Sequence, residues 1–358
     1  MVPLEKQAAQ LLTGKTLPDG WRVIEKLSKD PDSTGGVYSS CYEVEKEGRR
    51  GFLKAFDYTG AERVGREDPA AALRDILNAF TTERDILQAC KQRVCRNVVE
   101  ILGTGNYDIE EGVKNPTVHY LILEYADGGD LRKALNVSAG TGRRPFVKWQ
   151  LRSLHQLSNG LRQIHDLDIA HQDVKPSNVV ACDGGRTKLT DFGSAIAANS
   201  DERTLPSRLL QKAIAGSWAY APPELLYGQV SPDFVTRRIG CDLYLLGSMV
   251  AYYFTNMSMT SLIRSNIQES ISWTNPETWG NYSQVKAYLT DAFEIALGDI
   301  ADKIEEREIR DQLVLVIRYL CNPDPSKRGH KRTIDQRGPN YNLGRFVTIF
   351  DRLASFYH

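Results

Sequence analysis

Asp173, Lys175 and Asn178 lie close together in one polar stretch, residues 171–178, and Asp191 follows at the end of a strand-like run. Side chains of these types can do two kinds of work in one place. A carboxylate can orient an attacking hydroxyl and accept its proton, and oxygen ligands can hold Mg²⁺ against the phosphates of a nucleotide. The residue types and their spacing therefore predict a site for phosphoryl transfer.

This stretch, together with the Asp-Phe-Gly motif that starts at Asp191, resembles the catalytic loop and magnesium motif of eukaryotic-type serine/threonine protein kinases. A short Asp-x-x-x-x-Asn match also arises by chance in polar loops, but the Lys-Pro inside it and the Asp-Phe-Gly after it argue against coincidence. The resemblance implies that Asp173 is the catalytic base and that Lys175 holds the γ-phosphate. It further implies that Asn178 and Asp191 are ligands of Mg²⁺ and that the nucleotide is ATP.

The composition is that of an ordinary globular protein, with 41% hydrophobic and 25% charged residues in a chain of 358. Its 45 basic and 45 acidic residues cancel, which argues against nucleic acid or an anionic membrane as a partner. We find no apolar run of about eighteen residues, so no membrane-spanning helix is expected, and residues 1–10 lack the apolar core of a secretory signal. The six scattered cysteines include no Cys-x-x-Cys pair, which favours free thiols in a reducing compartment and a cytoplasmic protein.

Residues 21–27 and 41–47 alternate apolar and polar positions on either side of a turn, which predicts a β-hairpin. In the family that the chain resembles, this hairpin is the glycine-rich loop, whose backbone N–H groups cover the nucleotide phosphates. The resemblance therefore implies nucleotide binding at Gly35 and Gly36. The match is poor, because Ser39 stands where the third glycine would fall.

A lysine in the apolar run of residues 51–56 is costly to bury unless its charge is paired. One interpretation is an edge-strand lysine that faces water. The resemblance instead implies that Lys54 holds the α- and β-phosphates and pairs with a glutamate of the next helix. Within residues 79–90 the helical spacing of apolar residues places Glu83 toward the interior of the lobe, so we assign the pair Lys54–Glu83 to the nucleotide site.

Two features depart from the family pattern. Phe52 replaces the alanine that forms the roof over adenine, which puts nucleotide preference and affinity in doubt. Residues 59–78 form a longer connection than the family usually has, and Pro69 followed by residues 70–77 predicts an added helix. That helix could dock a partner or move together with the helix that carries Glu83.

Residues 98–102 and 119–123 have the pattern of two further strands, and the sequence that follows resembles the hinge between the two lobes of a kinase. The resemblance implies that Glu124 and Ala126 offer backbone groups to adenine. It also implies that Asp130 bonds the hydroxyls of the ribose. The alternative interpretation of this stretch is a plain turn after a strand.

Residues 149–167 carry a helical stripe of leucines that ends just before the catalytic loop. Gln172 stands where most family members have an arginine that pairs with a phosphorylated residue, which argues against activation by that route. Glu224, in an Ala-Pro-Glu-like motif, is expected to pair with the late arginine of the family, Arg328. Asp242 lies in a stretch that resembles the helix bracing the catalytic loop.

These elements predict an α+β protein with the bilobal protein kinase fold, with a small, mostly antiparallel β N-lobe and a larger, mostly helical C-lobe. We place the N-lobe with its N-terminal extension and hinge in residues 1–126 and the C-lobe in residues 127–358, as one kinase domain overall. The favoured function is transfer of the γ-phosphoryl group of Mg-ATP to serine or threonine hydroxyls of a protein substrate, since tyrosine kinases usually replace the Lys-Pro of the catalytic loop. The substrate, the pathway and the oligomeric state stay open.

Two other functions stay open. A pseudokinase or nucleotide-binding scaffold with little or no phosphotransfer would account for the weak glycine loop, Phe52 and Gln172. A kinase of small molecules, of the antibiotic-phosphorylating type, would commonly lack the Lys-Pro and the Glu224–Arg328 pair. Failure to bind ATP would favour the scaffold, and phosphorylation of a small hydroxylated compound but of no protein would favour the small-molecule kinase.

Overall fold

Most of the chain is described by the computed structural model. The described residues are 7–28, 39–58, 69–109, 113, 115–198, 214–275, 281–337 and 341–357. Gly35 and Gly36, predicted to bind the nucleotide, and residues 59–68 of the predicted insertion lie outside the described residues. Most of the segment between the Asp-Phe-Gly and Ala-Pro-Glu-like motifs, residues 199–213, lies outside them as well.

The described part of the N-terminal lobe is built on a five-stranded antiparallel sheet with the strand order β1-β2-β3-β5-β4. The strands are β1 (Arg22–Lys26), β2 (Ser39–Lys46), β3 (Arg49–Phe56), β4 (Ile101–Asp108) and β5 (Thr117–Glu124). Successive side chains of a strand point to opposite faces of the sheet. Tyr42, Val44 and Leu53 therefore fill a small apolar core on one face, while Phe52 and Lys54 face a cleft between the lobes.

The strand predicted at residues 98–102 begins later, at Ile101. Val98 and Val99 bond to the helical lobe instead: Val98 forms a parallel bridge with Leu189, and the Val99 N–H donates to the Leu189 carbonyl at 2.9 Å. The segment just before β4 is thereby hydrogen-bonded to the strand that precedes Asp191.

A continuous helix, α1 (Pro69–Gln92), carries Glu83. The prediction of a separate added helix over residues 70–77 is wrong, because these residues form the first turns of the same helix. After Pro69 the sequence contains no glycine or proline up to Gln92, so no helix-breaking residue divides it.

The C-terminal lobe is mostly helical, as predicted. Its helices are α2 (Leu131–Ala139), α3 (Arg143–His165), α4 (Pro223–Leu226), α5 (Gly240–Thr255), α6 (Met259–Asn266), α7 (Tyr282–Lys303), α8 (Arg307–Leu320), α9 (Lys331–Arg337) and α10 (Gly344–Phe356). Helix α5 lies in the core, with nearly all of its side chains buried. A Cβ at Gly247 would collide with Cys321 Sγ and lie 2.7 Å from Leu320 Cβ, so glycine permits the close packing of α5 against the end of α8.

Two small antiparallel strand pairs position the predicted chemical residues. Strands β6 (Ile169–Ala170), β7 (Val179–Cys182), β8 (Arg186–Leu189) and β9 (Ile196–Ala197) pair as β6 with β9 and β7 with β8. Residues 171–178 connect β6 to β7, and Asp191 follows β8. The predicted loop therefore leads into β7, and the predicted magnesium motif follows β8, the strand paired with β7.

The α+β class with a small sheet lobe and a larger helical lobe is confirmed. The lobe boundary at residue 126 stays a prediction. No helix within the described ranges is long and apolar enough to cross a membrane. None of the six cysteines is in a disulfide.

Candidate active site

A cleft of about 450 Å³ opens between the sheet and the helical lobe. One wall comes from β2, β3 and α1, and the other comes from the start of α2, the end of the 171–178 loop and the segment after β8. The predicted nucleotide and metal ligands that line it are Lys54, Glu83, Glu124, Ala126, Asp130, Asn178 and Asp191.

Lys54, Glu83 and Asp191 form a partly buried ionic group, which we call the Lys54 cluster. Lys54 Nζ lies 2.7 Å from Glu83 Oε2 and 2.9 Å from Asp191 Oδ1. The predicted pair Lys54–Glu83 therefore forms, and a carboxylate from the other lobe joins it. Because the three side chains come from β3, α1 and the segment after β8, the cluster ties the sheet, the helix and the C-terminal lobe together.

The Lys54 cluster favours an ionised Asp191. Burial opposes ionisation, but the Lys54 ammonium outweighs it and lowers the pKa of Asp191 to about 2. Burial also acts against the charge of Lys54, yet the two carboxylates raise its pKa above the ordinary value. Burial raises the pKa of Glu83, and Lys54 only partly offsets this. Asp191 is thus the carboxylate of the cluster that is most ready to bind a cation.

The backbone at Asp191 is in an uncommon conformation, with φ +60°. The next residue, Phe192, is fully buried and packs against the His171 ring, with 4.8 Å between ring centroids. The His171 ring in turn lies 3.1 Å, through Nε2, from the Thr190 carbonyl oxygen. These buried contacts fix the turn that presents the Asp191 carboxylate to the cleft.

Asp173, Lys175 and Asn178 form a second group, the Asp173 cluster, of which Asn178 lines the cleft. Lys175 Nζ lies 2.7 Å from Asp173 Oδ2, and Asn178 Nδ2 donates to the same oxygen at 3.0 Å. The Ser217 N–H donates to the other oxygen, Oδ1, at 2.9 Å. The predicted base is therefore held in one orientation by donors to both of its oxygens.

Burial raises the pKa of Asp173, while the adjacent Lys175 ammonium acts in the opposite direction. A carboxylate with a raised pKa accepts a proton more readily than an exposed aspartate does, and the lysine keeps it anionic. This balance suits a general base.

Gly216 allows the chain before the Ala-Pro-Glu-like motif to approach the catalytic loop. A Cβ at this position would collide with the Gln172 carbonyl oxygen and lie 2.7 Å from Asp173 Oδ1. Only glycine fits here without a shift of the backbone. The close approach is what brings the Ser217 N–H to Asp173.

Asp242 braces the catalytic loop from α5, as its sequence context implies. Its carboxylate, fully buried, accepts hydrogen bonds from the backbone N–H groups of His171 at 2.7 Å and Gln172 at 2.8 Å. His165 Nε2 lies 2.9 Å from the same carboxylate. Buried backbone donors need acceptors, and one carboxylate supplies them to two successive residues of the loop.

Gln172, which replaces the family arginine, is buried and has φ +66°. Its amide nitrogen donates to the Arg238 carbonyl at 2.8 Å and lies 3.2 Å from Asp242 Oδ1. The Arg238 guanidinium donates to its amide oxygen at 3.2 Å. Both ends of the side chain are therefore engaged inside the lobe.

The hinge residue Glu124 is held by a partner that the sequence reasoning missed. Lys188 Nζ lies 2.5 Å from Glu124 Oε1, and the Glu100 N–H donates to the same oxygen at 2.7 Å. No clear sequence signal marked this pair, because β8 has the sequence Arg-Thr-Lys-Leu and a lysine in such a polar strand is usually exposed. The pair links the hinge to β8.

Asp130, the predicted ribose ligand, is engaged by its own helix. Its Oδ1 accepts the Lys133 N–H at 3.1 Å and so caps α2, and its Oδ2 lies 2.5 Å from Arg132 Nη2. Arg132 also lines the cleft and was not predicted. A ribose hydroxyl at this place would share Asp130 with the arginine.

The other end of the cleft is apolar, lined by Phe52, Val99, Leu123 and Val180, with Ala126 at its rim. Phe52 lies opposite Leu123 in the β3–β5 pair and takes the predicted roof position. The cleft thus runs from an apolar end at the hinge to a charged end at the Lys54 cluster, which fits a nucleotide with its base at one end and its phosphates at the other.

The oxygen donors at the charged end fit Mg²⁺. The Asn178 amide nitrogen is bonded to the Asp173 backbone and side chain, so its oxygen is the group that can face a cation. Within the described residues no group of three or more His, Cys, Asp and Glu side chains could hold a metal by itself. Asn178 and Asp191 would therefore share Mg²⁺ with phosphate oxygens and water, which is the usual manner for this ion.

Glu224 and Arg328 form the predicted pair in the interior of the helical lobe. The guanidinium donates to the two carboxylate oxygens at 2.7 and 2.9 Å, and Arg328 is fully buried. It also donates to the carbonyls of Gly240 at 3.1 Å and Asn322 at 3.0 Å. The pair fastens α4 to the start of α5.

Residues 36–336 match the family described as the protein kinase domain. This match covers most of the chain and contains the Lys54 cluster, the Asp173 cluster and the Glu224–Arg328 pair. The chain belongs to the protein kinase family, which confirms the resemblance seen in the sequence.

The chain is similar to several proteins named as kinases. It is 34% identical over 162 residues to the serine/threonine-protein kinase chk-1 of Caenorhabditis elegans, across 45% of this chain and 30% of that protein. It is 31% identical over 223 residues to a probable serine/threonine-protein kinase of Streptomyces coelicolor, across 61% and 31%. It is 30% identical over 274 residues to cyclin-dependent kinase 12 of Drosophila melanogaster, across 76% and 22%. The matched part spans about a third or less of the length of these curated relatives.

Proposed function

We propose that the chain is an ATP-dependent serine/threonine protein kinase, which transfers the γ-phosphoryl group of Mg-ATP to hydroxyl groups of protein substrates. The observation that carries this proposal is the convergence of the Lys54 cluster and the Asp173 cluster on one cleft that has an apolar end. The names of the relatives, which include serine/threonine-protein kinases, support the choice of substrate class.

In the proposed reaction Asp173 orients the substrate hydroxyl and takes its proton while the hydroxyl oxygen attacks the γ-phosphorus and the bond to the leaving ADP breaks. Lys175, which already lies 2.7 Å from Asp173, offsets the negative charge on the transferred group. Lys54 holds the α- and β-phosphates. Asn178 and Asp191 would hold Mg²⁺, which would supply positive charge to offset that of the phosphates.

The nucleotide would lie with adenine at the hinge. The backbone groups of Glu124 and Ala126 would bond its edge, and Phe52 would pack against its face. Asp130 would bond the ribose together with Arg132. Gly35 and Gly36 would cover the phosphates.

A pseudokinase or scaffold is the second candidate, and two observations favour it. Phe52 lines the apolar end of the cleft at the position where the family has alanine, and Arg132 is already bonded to Asp130. Both predict weak nucleotide binding. Neither Phe52 nor Arg132 alters the Asp173 cluster. A scaffold would not need this cluster, so its ordered contacts favour the kinase.

The test is to identify the phosphorylated product. The purified chain is incubated with γ-labelled Mg-ATP, a myelin-type basic protein and, separately, a set of small aminoglycosides, and the labelled protein is hydrolysed in acid. The proposal expects phosphoserine or phosphothreonine in the chain itself or in the added protein. Label in phosphotyrosine alone, or in the small molecules alone, would contradict it.

A further inference from the structure

Ser39 carries a buried hydroxyl that has no hydrogen-bond partner within the described part of the chain. The residue is 4% exposed, and it lines the cleft together with Lys54 and Asp191. A buried polar group without a partner is uncommon in proteins, because the hydroxyl loses its bonds to water and gains none in return. The Ser39 hydroxyl is therefore placed to donate a hydrogen bond to a ligand that binds in the cleft.

The register of the sheet places Ser39 at the phosphate end of the cleft. In the β2–β3 pair Cys41 lies opposite Lys54, and Ser39 lies opposite Phe56. Side chains two positions apart share a face, so Ser39 lies on the same face as Lys54. It stands one step beyond Lys54 in the direction away from Phe52 and the apolar end.

We propose that the Ser39 hydroxyl is a ligand of the nucleotide phosphates, donating a hydrogen bond to a phosphate oxygen. This inference rests on the proposed function, since it takes the cleft as a nucleotide site. Ser39 stands where the family has its third glycine. A glycine can offer only its backbone N–H to a phosphate, whereas Ser39 can also donate a hydrogen bond from its side chain. The bond would compensate for the poor glycine pattern of the preceding turn.

Phosphate oxygens are the acceptors that match the surroundings of Ser39. The neighbouring Lys54 ammonium is a cation that can pair with a phosphate oxygen, and bound Mg²⁺ would offset the charge of the nearby carboxylates. The acidic groups near it, Glu83 and Asp191, are already bonded to Lys54 at 2.7 and 2.9 Å. A hydrogen bond to a charged acceptor is roughly twice as strong as one between neutral groups, so the gain on phosphate binding is large.

The experiment compares the wild-type chain with Ser39→Ala by calorimetric titration with Mg-ATP and with adenosine. Ser40→Ala is the matched control, because Ser40 is the same residue type on the opposite face of β2, opposite Ala55. The melting temperature of each nucleotide-free protein is measured beside the titrations.

We expect Ser39→Ala to bind Mg-ATP about tenfold more weakly than the wild type and to bind adenosine equally well. The nucleotide-free variant should melt at the same temperature or higher, because it no longer buries an unpartnered hydroxyl. Ser40→Ala should leave the ratio of the two affinities unchanged.

An unchanged affinity of Ser39→Ala for Mg-ATP would overturn the inference, and so would an equal loss for Mg-ATP and adenosine. A lower melting temperature of the nucleotide-free variant with unchanged nucleotide affinities would assign Ser39 a structural role. In these cases the wild type still binds Mg-ATP and the proposed function stands. A wild type that binds no nucleotide would overturn both.

Discussion

Asp173 and Asp191 belong to the two ionic clusters of the site, and their pKa values are shifted in opposite directions. Lys54 outweighs burial at Asp191 and lowers its pKa to about 2, whereas burial outweighs Lys175 at Asp173 and raises its pKa. Carboxyl groups whose environments separate their pKa values take different chemical roles. Asp191 is suited to hold a cation at any physiological pH, and Asp173 is suited to accept a proton.

The raised pKa of Asp173 predicts the pH dependence of phosphate transfer. The base must be ionised to work, so kcat/KM should fall on the acid side at a pH above the ordinary aspartate range of about 4. Lys175→Met removes the positive charge that lowers the pKa of Asp173, so the midpoint of this fall should move to still higher pH. Rates of transfer measured from pH 5 to pH 9 give the midpoint for each protein.

The midpoint is the informative quantity, since loss of the lysine also reduces the rate itself. Lys303→Met, which changes an exposed lysine on α7, should keep the wild-type midpoint. A midpoint for Lys175→Met at or below the wild-type pH would contradict the assignment of Asp173 as the base.

Single residues were predictable from the sequence where an unusual neighbourhood marked them. Lys54 stood out because a charge in an apolar strand needs a partner, and the helical spacing around Glu83 supplied one. Lys188 had no such neighbourhood, because its strand has the sequence Arg-Thr-Lys-Leu. Arg132 was not predictable, because an arginine two residues after an aspartate gives no sign that the two side chains will meet across a helix start.

At the scale of elements, the site depends on connections between strands and helices that are far apart in sequence. Asp242 of α5 holds the backbone of the catalytic loop, and Lys188 of β8 holds Glu124 at the end of β5. Periodicity and turn residues predicted most of the strands and helices near their observed bounds. They failed at α1, where the absence of glycine and proline after Pro69 favours one continuous helix over the two that were predicted.

The Lys188–Glu124 pair predicts a defect in nucleotide binding. Within the described residues, Lys188→Met leaves the Glu100 N–H as the one donor to the largely buried Glu124 carboxylate, so the hinge should shift to hydrate it. The KM for ATP should rise several-fold, with a smaller change in kcat. Steady-state transfer rates at varied Mg-ATP concentration measure both quantities.

Lys303→Met again serves as the control, because its side chain is exposed and distant in sequence from the hinge. An unchanged KM for ATP in Lys188→Met, or a fall in kcat alone, would show that the pair does not position the hinge.

At the scale of the whole molecule, two ionic groups join parts of the chain that local sequence does not connect. The Lys54 cluster crosses the cleft, and Glu224 reaches Arg328 across 104 residues of sequence. Sequence pattern alone predicts that charges inside a lobe need partners. Only the family resemblance identified Glu224 and Arg328 as partners of each other. Local sequence pattern does not predict which residues meet in long-range contacts of this kind.

The Glu224–Arg328 pair predicts a large loss of stability on substitution. Arg328→Met leaves the Glu224 carboxylate buried without its partner, which should lower the free energy of unfolding by about 3 kcal/mol or more. Urea unfolding followed by tryptophan fluorescence measures the change. Arg352→Met, on the exposed face of α10, should unfold like the wild type, and a loss below about 1 kcal/mol for Arg328→Met would contradict the structural role.

The most direct test of the proposed function is a substitution of Asp173 that separates nucleotide binding from phosphate transfer. Asp173→Asn keeps the size of the side chain and removes its capacity as a base, while Asp302→Asn makes the same change at an exposed site on α7. We predict that all three proteins bind Mg-ATP with similar affinity, and that Asp173→Asn alone loses transfer of γ-phosphate to protein, by at least about a hundredfold. If Asp173→Asn transfers phosphate at the wild-type rate, or if the wild type binds Mg-ATP and transfers none, the chain does not work as the kinase proposed.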